Sequence, residues 1–374
     1  MILGATTPAT AAPESPATVA GTGSPGATGD GGPAAQSTLN APLGAAAGAD
    51  GTLYIADTGN RKVRAVAPDG TISTVAGSGE AATRAPAVAA GAKATDVALI
   101  APAAVAVGGD GTVFIADAGA IRVYALAKNG TLTVRADAAG TASLTRPMGA
   151  PTGLAAGSDG TVYVGDQENN RVLAVGPDGK ASVAAGNGVV TASAAGGPAT
   201  EVPVGAPNSL AASGDGDVWI SGGLLLRRLR AQQIATVTAP GSGTWATADG
   251  AQWPPADQPL NDVEAVGAGA DGPYVFDRKQ KAVLRLGHGG AITTVASLSG
   301  TLGTIHLAVG PAADGPVYVV DTGGHRVLSV RVTADPGTPP GGTDEAPLWP
   351  WLVGGAVLVL LIVFLIVVVA RRRA

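Results

Sequence analysis

The sequence predicts an all-β protein of repeated four-stranded antiparallel sheets, followed by one membrane-spanning helix. Three observations carry that expectation. Residues 42 to 79, "PLGAAAGADGTLYIADTGNRKVRAVAPDGTISTVAGSG", return at 151 to 188 as "PTGLAAGSDGTVYVGDQENNRVLAVGPDGKASVAAGNG". Charged residues are only 14% of the 374 and glycine reaches 57, which suits tight turns and strands packed on both faces better than long surface helices. Leu352 to Ala370, "LVGGAVLVLLIVFLIVVVA", is 19 uncharged residues, the length that crosses about 30 Å of hydrocarbon as a helix.

A third copy of the repeat begins at Pro102, and weaker copies begin at Pro207, at about Leu260 and at about Thr304, making six. Each holds four short apolar runs in two-residue alternation. Asp50-Gly51, Asp110-Gly111, Asp159-Gly160 and Asp215-Gly216 separate the first run from the second. Asp69-Gly70, Asn129-Gly130, Asp178-Gly179 and, more loosely, Gly289-Gly290 separate the third from the fourth. Such pairs between alternating runs are a strong hairpin signal, and the turn they predict is type I′, with positive φ at both positions. Each copy therefore reads as a meander of strands A, B, C and D. Strand A is poor in bulk, as expected where strands converge on an axis, while B and C carry the Val, Ile, Leu and Tyr that fill the space between sheets. Six such sheets around an axis make a six-bladed β-propeller of four-stranded blades.

The sixth copy supplies "HLAVG", "PVYVVD" and "RVLSVRV" but no strand D. The missing piece is at the other end of the chain, where "ATVAG" (Ala17 to Gly21) matches "STVAG" (Ser73 to Gly77). The N-terminal strand is expected to pair antiparallel with Val327 to Val332. That closes the ring and hides two sheet edges that would otherwise invite aggregation.

The units resemble NHL repeats, most clearly at Tyr54-Ile55-Ala56-Asp57-Thr58-Gly59-Asn60-Arg61 and at Val319-Val320-Asp321-Thr322-Gly323-Gly324-His325-Arg326. The bridging stretch "GDGGPAAQSTLNAP" (29 to 42) is similar to the inter-blade segments of bacterial NHL proteins. The resemblance spans roughly residues 17 to 332 and weakens in copy four, where Gly222 stands in place of the aspartate. It implies an extracytoplasmic binding propeller, like those that serve bacterial receptor kinases as sensors. It also implies that the recurring blade positions are mostly architecture. The tail after the apolar run is four residues and holds no kinase.

The expected organisation is an N-terminal linker (1–16), the propeller (17–333), a Pro/Gly-rich linker (334–348), a transmembrane helix (349–370) and a cytoplasmic tail (371–374). Trp349 and Trp351 sit where an interfacial aromatic belt belongs, and Arg371, Arg372 and Arg373 place the tail in the cytoplasm. The propeller is thus expected outside a bacterial cell membrane. Residues 1 to 16 have neither a basic nor an apolar stretch and are not a signal peptide. No Leu-Pro-x-Thr-Gly precedes the span, so retention in the membrane is expected rather than sorting to the wall. Net charge is −5 with no Lys/Arg block before the C-terminus, which argues against a nucleic-acid partner. With no Cys there is no disulfide or thiolate chemistry.

A meander puts its A–B and C–D turns on one face, here all tight. The other face carries the B–C turns and the long crossovers 24 to 41, 78 to 101, 136 to 150, 187 to 206 and 239 to 259. Binding to a protein, glycan or cell-envelope ligand is expected on this variable face. The linker leaves from the tight-turn face, which would present the variable face outward.

Asp57, Asp117, Asp166, Asp277 and Asp321 end strand B in five copies, with Lys62, Arg122, Arg171 and Arg326 five residues after four of them. They are expected to cap the B–C turns and pair with the nearby cation; a charged ring for a ligand is the competing reading. Copy four breaks the pattern with "SGGLLLRRLR", and the next crossover adds Trp245 and Trp253, two of five tryptophans. Trp245, Trp253, Arg227, Arg228 and Arg230 form the candidate binding patch, Trp with Arg being the composition of an interface hot spot; a tryptophan lid packed over a decayed blade is the competing reading. No catalytic motif for a serine hydrolase, zinc protease, phosphate-binding loop or calcium loop is present. No cofactor or metal is assigned. The alternative is a metal-dependent hydrolase or lyase with a central-channel site made of Asn208, Glu264 and His306, the polar exceptions on otherwise apolar inner strands.

Overall fold

A computed structural model describes residues 15–238, 245–246, 252–253, 260, 262–287, 292–312 and 315–332. Contacts group Met1–Val332 into one compact unit, and the second unit, Thr333–Ala374, lies outside the described residues together with the expected span. Among the described residues no helix is long and apolar enough to cross a membrane.

The described residues form six antiparallel blades. In blade one, strands A to D are Gly44–Ala47, Leu53–Asp57, Lys62–Val66 and Ile72–Ala76. Blades two, three and five repeat that order, from Pro102–Val107 to Leu132–Asp137, from Pro151–Ala156 to Ala181–Ala185, and from Val263–Gly269 to Ile292–Ser297. Blade four (Pro207–Ala212, Val218–Gly222, Leu225–Arg230, Gln233–Thr238) has an additional outer strand, Gly197–Pro198, paired with Gln233–Thr238. Blade six holds Ile305–Val309, Val317–Asp321 and Arg326–Val330, and its fourth strand is Ala17–Ala20. That strand runs antiparallel to strand C, with Ala17 opposite Ser329, Thr18 opposite Leu328 and Ala20 opposite Val327.

The Asp-Gly and Asn-Gly hairpins among the described residues are not type I′, and Gly289-Gly290 lies outside those residues. In these hairpins positive φ falls on the glycine alone, as at Gly51 (82°) and Gly70 (84°), and the preceding aspartates stay outside that region; in blade four the two-residue turns Gly223-Leu224 and Ala231-Gln232 have positive φ at both positions. In the first turn Gly51 N–H donates to Gly48 O and Gly48 N–H to Thr52 O, which is a type I turn followed by a left-handed glycine. The aspartate is held by its own side chain. Asp50 Oδ1 accepts the Thr52 N–H at 3.0 Å, and Asp69, Asp110, Asn129, Asp159 and Asp178 do the same two residues ahead.

The core is divided rather than single. Buried apolar side chains form six clusters, each shared by two neighbouring blades, because alternate residues of one strand face opposite neighbours. Leu154 packs toward blade two and Ala155 toward blade four. The cluster between blades six and one contains Ala20, Val320 and Val327 with Leu53, Ile55 and Ile72, so the N-terminal strand takes part in the seam it closes.

Where that strand ends, Gly21 has φ of +87°, and a Cβ there would lie 2.4 Å from His325 O and 2.9 Å from Arg326 Cα. Gly77 and Gly186 repeat the arrangement, at 2.2 Å from Arg61 O and 2.6 Å from Asn170 O. Gly21→Ala is expected to cost about 2–4 kcal/mol in urea unfolding, through backbone clash as well as strain. Gly31, with φ of +82° and nothing within 4 Å of a Cβ, is the control. Gly31→Ala should cost about 1 kcal/mol; equal losses at the two positions would contradict the close approach.

Candidate functional site

The variable face is organised by the aspartates that end strand B, all of them buried. Asp57 accepts the Asn40 N–H and Asn60 Nδ2, both at 2.7 Å. Asp117 accepts three N–H groups, from Ile100, Ala101 and Ala120. Asp166 accepts from the Gly149 N–H, from Asn169 and from Arg171 Nε at 2.9 Å. Asp277 accepts the Gln280 N–H at 2.9 Å, and Asp321 those of Gly303 and Gly324. In blades one, two, three and six the carboxylate thereby ties the end of the incoming crossover to the B–C turn. Burial pushes the Asp57 carboxyl up, against its donors and Arg64. These carboxylates point into backbone and do not present a charged ring to solvent.

Of the expected cation partners, Arg171 and Arg326 pair with their own aspartates. Arg122 instead approaches Asp137 at 4.0 Å. Asp57 meets Arg64 at 3.6 Å, not Lys62, and Arg64 also pairs with Asp30 of the crossover at 2.7 Å. Strand-C arginines have a second task that sequence reasoning missed. Arg64, Arg122, Arg171 and Arg227 donate to carbonyls of the crossover leading into their blade, at Thr28, Pro86, Arg146 with Pro147, and Ser193.

Blade four keeps the arginine without the aspartate. A Cβ on Gly222 would lie 2.6 Å from Ala206 O, so the incoming crossover occupies the space an aspartate would need. Arg227 is fully buried, donates to Gly222 O at 3.1 Å and Ser193 O at 3.2 Å, and leaves Nε without a partner. Burial lowers its guanidinium to about 10. Strand C then runs away from the variable face. Arg230 pairs with Asp215 and Asp217 in the A–B turn, and Arg228 Nη1 lies 3.8 Å from Asp217. The three arginines expected in one patch are thus divided between the two faces. Trp245 and Trp253 oppose each other in a short antiparallel ladder; their side chains lie outside the described residues.

What blade four does offer is apolar. Leu224 sits in its B–C turn with φ of +66° and is 52% exposed, and Val189 and Val190 of the incoming crossover are 49% and 76% exposed. Gly223 and Gly205 both pack on Ala192, which joins turn and crossover into one surface. Of the five large exposed apolar side chains among the described residues, these three and Ile121 lie on the variable face, and the fifth, Val134, is on a strand D.

The channel candidates are not brought to one level. Asn208 and Glu264 are bulge residues of strand A in blades four and five, skipped by the pairing between Pro207 and Ser209 and between Val263 and Ala265. Strand A of blade six has no bulge, and His306 pairs with Val320. It therefore occupies the place held elsewhere by Gly44, Ala104, Gly153, Ser209 and Ala265. Glu264 Oε1 accepts Arg278 Nη2 at 2.6 Å and the Ile305 N–H at 3.1 Å, and Arg278 also reaches Gly303 O, so this pair clamps blade five to blade six. Asn208 is exposed. His306 Nε2 is buried without a partner, and burial pushes the imidazole down to about 4. Among the described residues no three His, Cys, Asp or Glu are grouped as metal ligands. His325 Nδ1 accepts the Ala41 N–H at 3.0 Å across the closing seam, and His288 lies outside the described residues.

Residues 18–92 match the family model of the teneurin NHL domain, and residues 149–175 that of the NHL repeat. No curated protein matches the sequence. Among solved structures, a protein of unknown function from Bacteroides thetaiotaomicron VPI-5482 is similar at a TM-score of 0.59 and 15% identity, over 85% of this chain and 76% of that one. An auxiliary nutrient binding protein from the same organism is similar at 0.53 and 11%, over 84% and 75%. A gluconolactonase from Xanthomonas campestris is similar at 0.53 and 12%, over 79% and 87%. At such identities the likeness is one of fold, and fold does not carry function. Recurring motif, matching repeat models and six closed blades together make the chain an NHL-repeat β-propeller.

Proposed function

We propose that the protein is a non-catalytic binding propeller, held outside a bacterial cell membrane by its C-terminal helix, with the variable face as its docking surface. One observation carries the docking assignment: the exposed apolar side chains cluster on that face, at Leu224, Val189 and Val190 of blade four. Clustered aliphatic exposure beside a rigid scaffold suits a protein partner. Arg227 beneath the patch fixes the crossover through Ser193 O, so the surface is preformed. The anchor rests on the apolar run Leu352 to Ala370, its flanking tryptophans and the arginine tail.

The test combines topology with site. Protease added to intact cells should remove the propeller. A photo-crosslinking residue at Leu224 or Val190 should yield a discrete adduct that the same residue at Asp178, in a tight turn, does not. Leu224→Glu should abolish the adduct captured from Val190. A propeller protected until lysis would overturn the location, and crosslinking that ignores the position of the probe would overturn the docking face.

A further inference from the structure

The opposite face carries a second, chemically different feature. Between blades one and two the tight-turn side opens into a groove of about 820 Å³, within the range of small-molecule sites, about 300–1,000 Å³. Its walls come from both blades. Blade one supplies Tyr54 and Val75, and blade two supplies Val107, Val113 and Leu126. Tyr54, Val75 and Val107 are only partly covered by the interblade cluster, so their apolar surface lines the opening. Gly109 leaves it open at the blade-two turn, where a Cβ would meet nothing within 4 Å.

Its charges are unbalanced. Lys93 comes from the crossover and Lys128 from the C–D turn of blade two, and Asp50 is the one carboxylate on the lining. Asp50 and Asp110 are held low chiefly by the Thr52 and Thr112 N–H groups, and Lys128 adds to both, so its charge already has company. Lys93 forms no ion pair among the described residues. Asn129 uses Oδ1 on Thr131, at 3.1 Å to the backbone N–H and 2.8 Å to the hydroxyl, which leaves its amide hydrogens for a ligand. In a chain of net charge −5 with only six lysines, two of them line this groove.

We propose that the groove between blades one and two binds a small organic monoanion, its carboxylate or sulfate on Lys93 and Lys128 and its apolar body against Tyr54, Val75 and Val107. The site is independent of the docking face, and neither assignment depends on the other.

Six lysines make the test readable. The intact propeller, with its lysines ¹³C-dimethylated, is titrated with benzoate and with glucuronate, and with benzyl alcohol and methyl glucoside as uncharged counterparts. At least one anion should shift the Lys93 and Lys128 signals saturably, with a Kd of about 1–10 mM for fragments this small, while Lys62, Lys180, Lys279 and Lys281 stay still. Lys93→Met should weaken binding about tenfold without changing the melting temperature, since this side chain is exposed. The proposal is overturned if no anion gives saturable shifts, if all six lysines move together, or if the neutral counterparts act as strongly.

Discussion

Removing residues 1–22 is expected to lower the melting temperature by about 5 °C or more, while removing 1–14 leaves it within about 1 °C. The first deletion takes away Ala17–Ala20, the outer strand of blade six. Its ladder to strand C is lost, Ala20 leaves a core position with no exposure, and Val327 and Val320 lose cover in the closing cluster. Two further hydrogen bonds go with it, from Gly21 N–H to Ala34 O and from Thr22 N–H to Ser37 O. Both copy the ordinary junction between blades one and two, where Gly77 and Ser78 donate to Ala94 and Val97. At about 1 kcal/mol net per buried hydrogen bond, plus the apolar cover, the loss is about 3–5 kcal/mol. Unfolding entropy for a propeller of this size is about 0.7 kcal/mol per degree, which gives the stated shift. The second deletion stops short of the strand. Equal melting temperatures for the two truncations would mean that the ring does not depend on its N-terminal strand.

Blade number, strand order and closure were all legible, because turn chemistry recurs at fixed spacing and the last copy lacks a strand that the first residues supply. The turn type was not. An Asp-Gly pair looks the same whether both residues or one adopt positive φ, and here the aspartate's own bond to the N–H two residues on keeps it out of that region. The two-residue strand Gly197–Pro198 left no periodic signal. Partner choice was half legible. Asp166 and Arg171 meet as their spacing suggests, but Asp57 takes Arg64, since a guanidinium fork serves Asp57, Asp30 and Thr28 O at once and an ammonium at Lys62 would not. The arginine patch failed on direction. Strand C advances about 10 Å from Arg227 to Arg230, enough to carry the last of them to the tight turns. The channel trio failed on register, because the missing bulge in strand A of blade six puts His306 at a different level from Asn208 and Glu264. The groove of Lys93 and Lys128 had no signal at all, since its residues come from segments that no motif links.

Acid should weaken the propeller through His306, and the window follows from the sign of its shift. The imidazole's ordinary value is 6.5 and burial lowers it to about 4 in the folded protein. Between those values the unfolded chain binds the proton more readily than the folded one, so stability is complete above about pH 6.5 and falls as pH drops toward 4. A shift of that size corresponds to at most about 3 kcal/mol, or about 4 °C. Two buried carboxyls act in the opposite sense. Asp57 and Asp217 are raised chiefly by burial, so they bind protons more readily when folded and add stability as pH falls through their raised values. The histidine is therefore isolated by difference. His306→Leu should remove the loss between pH 6.5 and 4 and leave the carboxyl contribution in place. Leucine suits the site because Nε2 has no partner to lose and Ala308, two residues on along the same strand face, already packs in the apolar seam between blades six and one. Melting temperatures of wild type and variant should run parallel above pH 7 and diverge below 6, with the variant higher. Parallel curves down to pH 4 would show that the imidazole reaches solvent and takes up its proton without cost to the fold.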